Sequence, residues 1–200
     1  EYELATFPTI TAVDATVDIF PQARRIEAKA AIKVVNNSDS PISRFLVNLP
    51  QYSRDELVTI EGGTMGEINE KFNTAWFEFA NPLAPGEQRQ GEVTVVREHH
   101  GFKNSGEAPT LINNGTFIDN FALFPSFGFS GDARISDRHE RRKRDLEPLK
   151  RAYDLEDSSH YQESFFGPGI AFIDFSATLS TSAEQFAIAP GYLAKEWQEN

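Results

Sequence analysis

Hydrophobic and polar residues take turns along the first half of the chain. Val13, Ala15, Val17 and Ile19 alternate with Asp14, Thr16 and Asp18, so an extended backbone here turns one face to a core and the other to water. After Phe20-Pro21-Gln22-Ala23, which reads as a turn, Ile26, Ala28, Ala30, Ile32 and Val34 alternate with Glu27, Lys29, Ala31 and Lys33. That run ends in Asn36-Asn37-Ser38-Asp39-Ser40-Pro41, all turn-forming residues, and the two runs together predict a hairpin. Further strands are expected at Phe45–Leu49, Leu57–Ile60, Ala75–Phe79 and Gly91–Arg97, each bounded by Pro, Gly or Asn. Between the last two, Asn81-Pro82-Leu83-Ala84-Pro85-Gly86-Glu87 reads as a turn, its prolines presetting φ and its glycine free to take φ > 0.

From His99 to about Tyr161 the alternation lapses into an irregular segment rich in Gly, Pro and Phe, long enough to expect function or packing from it. Within it Ser136-Asp137 predicts the cap of a short helix running through Arg144, with Pro148 to stop it. Alternation returns at Ile170–Ser180 and, past a turn at Thr181–Glu184, at Gln185–Gly191, which predicts a closing strand pair. The pattern as a whole predicts a mostly β fold. It is an antiparallel β-sandwich over residues 1–200, with one insertion-like loop over about 99–161 and a short helix.

Two hundred residues suffice for one domain with its own core. A start at Glu1 and a stop at Asn200 soon after an apparent strand lead us to expect a domain cut from a longer protein. No run approaches the roughly twenty apolar residues of a membrane-spanning helix, so the fragment is not expected to insert into a bilayer. With 19 basic and 30 acidic residues the chain carries −11, which disfavours nucleic acid as a partner. Cysteine is absent, which removes disulfides, thiolate nucleophiles and Cys-based zinc sites.

The candidate chemistry is thin. His99, His100, His139 and His160 match no ligand spacing, and neighbours such as His99 and His100 on a strand end point to opposite faces. His139-Glu140-Arg141-Arg142-Lys143 begins as a zinc-peptidase helix does but places Lys where the second ligand must stand, so no metal is expected in this chain. There is no nucleophile elbow and no phosphate-binding glycine loop, and no catalytic residue is assigned. Charge is unevenly spread: Arg134 to Arg151 holds eight basic and four acidic residues, a local +4 that leaves −15 to the remainder. Arg138, Arg141, Arg142 and Arg144 are therefore candidates for contact with an acidic partner domain, membrane headgroups or phosphate. Against that stands a solvated helix with internal pairs, Asp137 with Arg141 and Glu140 with Arg144. Asn36-Asn37-Ser38 and Asn114-Gly115-Thr116 match the N-glycosylation acceptor pattern.

Taken together, the opening strands, the Leu83-Ala84-Pro85-Gly86-Glu87 turn and the string Gly101-Phe102-Lys103-Asn104-Ser105-Gly106-Glu107, followed by Asn114-Gly115-Thr116-Phe117, resemble the N-terminal domain of gluzincin (alanyl-aminopeptidase-like) zinc metallopeptidases. The branch fused to ABC-transporter-type permeases is the nearer likeness. Phe124-Pro125-Ser126-Phe127-Gly128 resembles the family's F-P-C-F-D-E-P signature, with Ser126 and Gly128 in place of its Cys and Asp, and Phe186–Gly191 resembles the strand and turn near the end of that domain. The resemblance implies a saddle-like sandwich that brings no catalytic group, packs on a downstream peptidase-like domain and shapes its substrate entrance. Zinc is then expected in that other domain and none in this chain. The parent protein would be membrane-anchored through its permease, on a side the sequence leaves open. The family also lends one amide, eleven residues before the Pro of the signature, to hold a peptide substrate's amino group. Counting back from Pro125 gives Asn114, shorter by one methylene than the family's Gln, whereas a plain turn residue in left-handed geometry is the other reading of Asn114. A stand-alone protein- or carbohydrate-binding sandwich module is the alternative, motivated by the Phe-rich stretch from Phe102 to Phe129.

Overall fold

The computed structural model describes residues 5–50, 53–101, 110–131, 134–149, 154–161 and 172–198. The expected hairpin forms: β1 (Thr9–Phe20) and β2 (Arg25–Val35) pair antiparallel from Thr9↔Val35 to Phe20↔Arg25. The turn closes at Arg24, whose φ of 49° is left-handed and whose N–H donates to Pro21 O at 3.1 Å. β3 (Ile42–Asn48), β4 (Ser53–Ile60), β5 (Gly63–Met65), β6 (Thr74–Leu83) and β7 (Gln88–Glu98) follow, and after the irregular segment β8 (Ser126–Phe127) and β9 (Asp174–Ser180). They make a five-stranded sheet in the order β4-β7-β2-β1-β9 and a four-stranded sheet in the order β5-β6-β3-β8. The mostly β sandwich expected from the alternation is what the chain adopts.

The two sheets meet through side chains of different size. The five-stranded sheet offers Ala15, Val17, Ile26, Ala28, Ala30, Ile32, Val93 and Val95, mostly short and branched, all buried. The four-stranded sheet answers with rings: Phe45 lies 5.2 Å from Phe77, 5.9 Å from Phe79 and 4.9 Å from Phe127, centroid to centroid. Large rings against a floor of Ala and Val fill the space between sheets at interior density, which is why a Phe-rich chain puts these rings inside.

Three expectations need correction. The turn placed at Asn81–Glu87 begins later, because β6 stays in the sheet to Leu83. Ile42 pairs with Leu83 and Arg44 with Glu78, so residues 79–82 leave the β3 ladder as a bulge that accommodates a proline without an N–H, while Phe79 stays buried and paired with Gly63 of β5. Leu83 then returns to the core, fully buried, and the turn proper is Ala84–Glu87, with Gly86 at φ 75°. Next, the closing strand pair does not form. β9 pairs in parallel with β1, from Ala12↔Asp174 to Asp18↔Ser180, and residues 185–191 join no ladder. Residues 170 and 171 of the expected strand lie outside the described residues. Last, the helix is shorter: α2 (Arg138–Arg142) is capped by Asp137 as expected, but its carbonyls are closed early. Leu146 N–H donates to Arg141 O and Asp145 N–H to Arg142 O, with Asp145 left-handed at φ 52°, a Schellman closure built on Asp where glycine is usual. One further short helix, α1 (Asn120–Leu123), precedes β8.

Among the described residues, the part of the irregular segment from Leu111 to Phe129 contributes to the core. Leu111 and Leu123 are buried in the core, Phe124, Phe127 and Phe129 are half-buried, and Phe117 alone of these rings stands out.

Candidate functional site

Leu111 anchors the chain in the core just before it turns at Asn113–Asn114, so the turn is held from below while its tip is exposed. Gln185 holds it from the side, its Nε2 donating to Asn113 O. Gln185 is itself fixed: its N–H donates to Ser182 O at 2.9 Å, and Thr181 Oγ1 lies 3.4 Å from its Oε1. Asn114 and its side chain are exposed, and it keeps negative φ, since the left-handed non-glycine residues among those described are Arg24, Asn73 and Asp145. The left-handed reading of Asn114 is therefore wrong: neither Asn114 nor Gly115 takes a positive φ in this turn.

From Gln185 onward burial alternates in the opposite sense to β2. Gln185, Ala187 and Ala189 are half-buried, and Phe186, Ile188 and Pro190 face out. Phe172, Phe186, Ile188, Tyr192 and Leu193 are each at least 78% exposed, and Trp197 is half exposed. Phe186, Ile188, Tyr192 and Leu193 expose four large apolar side chains within eight residues of chain, directly after the Gln185 that bonds the Asn113 turn, which is the mark of a segment made for contact.

The F-P-S-F-G string follows α1 and adds β8 to the edge of the four-stranded sheet. Pro125 is buried, Ser126-Phe127 pair with Val47 and Asn48, and Asn48 Nδ2 donates to Gly128 O at 2.7 Å. Gly128 has φ 92°, and a Cβ there would stand 2.5 Å from the Phe7 ring. The Asp of the resembled signature has no room at this position; Phe7 occupies it. Of the Gly101–Glu107 string, all but Gly101 lies outside the described residues.

The four candidate arginines divide into two pairs. Arg141 is spent on the fold: Nε donates to Glu147 O at 2.7 Å and Nη1 to Ile135 O at 2.9 Å, stapling both flanks of α2. Arg144 pairs with Glu140, which Lys143 also holds at 2.9 Å. The hydrogen bond from Lys143, then that from Arg144, keeps the Glu140 carboxyl below the usual glutamate range. Asp137 does not pair with Arg141 as expected; it caps the helix, accepting from Glu140 N–H at 2.8 Å. Arg138 and Arg142 are exposed with no partner among the described residues, and their i, i+4 spacing puts them on one side of the helix.

Asn36 was legible as a turn residue and a glycosylation match, and the structure gives it a further role. It is fully buried: Nδ2 donates to Leu83 O and Ser40 O, both at 2.8 Å, while Oδ1 accepts from Ser38 N–H and Ser38 Oγ at 3.0 and 2.7 Å. Its backbone bonds Glu87 and Gly86, so one amide ties the end of β2 to the turn after β6. Two Asn in a row followed by Ser and a later Leu-x-Pro-Gly-Glu turn was the available signal.

No three His, Asp or Glu side chains among the described residues are placed to hold a metal ion. His100 Nε2 lies 3.3 Å from Glu98 Oε2, and His139 is exposed on α2. No helix among the described residues is long and apolar enough to cross a membrane.

No protein-family profile and no curated protein matches the chain. Among solved structures it is similar to an M1 zinc metallopeptidase from Deinococcus radiodurans, at 14% identity and a TM-score of 0.38 over 49% of this chain and 22% of that one. A mutant of an M1 zinc metallopeptidase from Deinococcus radiodurans bound to a Tyr-Ser-Ala substrate matches at 14% identity and 0.37 over 48% and 22%, and a two-domain M1 zinc metallopeptidase mutant bound to L-arginine at 16% and 0.37 over 50% and 22%. The matched part is thus under a quarter of each of those proteins, and likenesses of this size assign no function.

Proposed function

We propose that this chain is a non-catalytic, N-terminal accessory domain of a zinc aminopeptidase-like protein, packed on a catalytic domain whose substrate entrance it shapes. The observation that carries this is the set of exposed apolar side chains Phe186, Ile188, Tyr192 and Leu193, which follow the Gln185 whose amide bonds Asn113 O in the neighbouring turn. A sandwich that fills its own interior yet leaves Phe186, Ile188, Tyr192 and Leu193 in water gains stability by lying against a neighbour, roughly 25 cal/mol for each Å² of apolar surface covered. In this reading Arg138 and Arg142, without a partner among the described residues, meet an acidic patch on that neighbour, and Asn114 stands at the rim where a peptide substrate's amino group is held. Zinc belongs to the neighbour, and the link to an ABC-transporter-type permease, with a membrane-anchored parent, completes the proposal on the strength of the sequence resemblance alone.

The cysteine-free chain offers a direct test. Phe186→Cys and Ile188→Cys are labelled with a maleimide in the isolated chain and in the longer reading frame. Labelling slowed at least tenfold in the longer protein is the expected result. Equal rates in both, or a reading frame with no zinc-binding H-E-x-x-H downstream, would remove the accessory-domain reading.

A further inference from the structure

A different observation concerns the bond between Asn114 and Gly115, the only Asn-Gly pair in the chain. An asparagine amide is lost without any enzyme when the next residue's backbone nitrogen reaches its Cγ. That requires a free N–H, a side chain free to rotate, and no bulk on the following residue. Asn114 meets all three. Its side chain and the Gly115 N–H have no hydrogen bond among the described residues, and Gly115 has nothing within 4 Å of where a Cβ would stand. Gln185 pins only the preceding carbonyl, that of Asn113, so rotation about the Asn114 backbone stays open.

Five other asparagines are held back by the same criteria. Asn36 is buried with its amide saturated. Asn48 donates to Gly128 O, and the next N–H, that of Leu49, is bonded to Asn73 O at 2.7 Å. Thr74 N–H, after Asn73, is bonded to Asn69 O, Ser38 N–H, after Asn37, to Asn36 Oδ1, and Asn81 is followed by a proline, which has no N–H.

We propose that Asn114-Gly115 is a spontaneous modification site, at which the Asn114 amide is replaced by a carboxylate through a cyclic imide. The Gly115 backbone nitrogen, having given up its proton, bonds to Asn114 Cγ; the Cγ–N bond of the side-chain amide breaks and ammonia leaves. Water then adds to one of the two imide carbonyls and opens the ring to aspartate or, with the main chain rerouted through the side chain, to isoaspartate. One water is consumed and one ammonia released, with no change of oxidation state. The product places a new negative charge on the turn beside the exposed apolar stretch. This inference stands whether or not the accessory-domain reading does.

The test holds the intact folded chain at mildly alkaline pH and follows each asparagine by peptide mass mapping, with isoaspartyl methyltransferase and a labelled methyl donor to count rerouted linkages. Asn114 is expected to convert severalfold faster than any other asparagine, with isoaspartate among the products. Gly115→Ala, which the open space around Gly115 admits, is expected to slow it severalfold. The proposal is overturned if Asn114 keeps its amide while a free peptide of the same sequence loses it, or if Gly115→Ala converts as fast as the parent.

Discussion

β2 and residues 185–190 read alike in sequence, with a side chain of one kind following a side chain of the other for at least five positions. In β2 the apolar set, Ile26 to Val34, is buried, and Glu27, Lys29 and Lys33 reach solvent. In residues 185–190 the sense is reversed: Gln185 and Ala187 are tucked in, and Phe186 and Ile188 stand in water. Period two says only that a segment is extended, whereas which set is covered depends on what lies opposite. For β2 the chain itself supplies the cover, the rings of β3 and β6. For Phe186 and Ile188 nothing among the described residues does.

The sharpest way to break that contrast is to truncate one ring in each region. Phe77→Ala is expected to cost about 3–5 kcal/mol in a urea titration, through lost burial and the cavity left between Phe45 and Phe79. Phe186→Ala in the isolated chain is expected to stay within about 0.5 kcal/mol of the parent. A comparable loss at Phe186 would mean that its ring is already covered, and the contact face would be gone.

Polar groups divide the same way. Asn36→Ala leaves the buried Leu83 carbonyl without one of its donors and is expected to cost about 1–3 kcal/mol in the same titration, whereas Asn37→Ala, at an exposed neighbour, is expected to be near neutral. Equal effects would show that the β2 end is not the hub its bonds describe.

The smallest effect is on α2. The Glu140 carboxyl is held below its ordinary range by Lys143 and Arg144, so the support these pairs give is complete above the unfolded-state value and is lost only as pH falls through the lower folded one. Carboxyl NMR is expected to place the Glu140 midpoint below that of an unpaired glutamate, and Lys143→Met is expected to raise it. A midpoint unmoved by that change would remove Lys143 as the main cause.

Strands whose inward set is covered by the chain's own rings were legible from alternation: β1, β2, β3, β4, β6 and β7. β9 was legible as a strand but not as a partner of β1, because alternation is the same for parallel and antiparallel neighbours, and adjacency in sequence favoured the next run, 185–191. β5 is three residues opening on a glycine, too short to show a period. The cap at Asp137 was legible from residue type, and the early stop was not, since the left-handed residue is Asp145. Of the candidate residues, sequence could collect the arginines by charge. The i, i+4 spacing also set Arg144 apart by its pair with Glu140, but it gave Arg141 the wrong partner, because the Glu147 and Ile135 carbonyls that hold Arg141 are brought close only by the folded turn.

The parallel seam between β1 and β9 has a mechanical meaning. Both strands run the same way over seven paired positions, from Ala12↔Asp174 to Asp18↔Ser180. Tension applied ahead of Thr9 and beyond Ser180 therefore pulls the two strands along their axes in opposite directions. The load falls on all the rungs of that ladder together, in shear, whereas an antiparallel hairpin pulled from its two free ends opens one rung at a time.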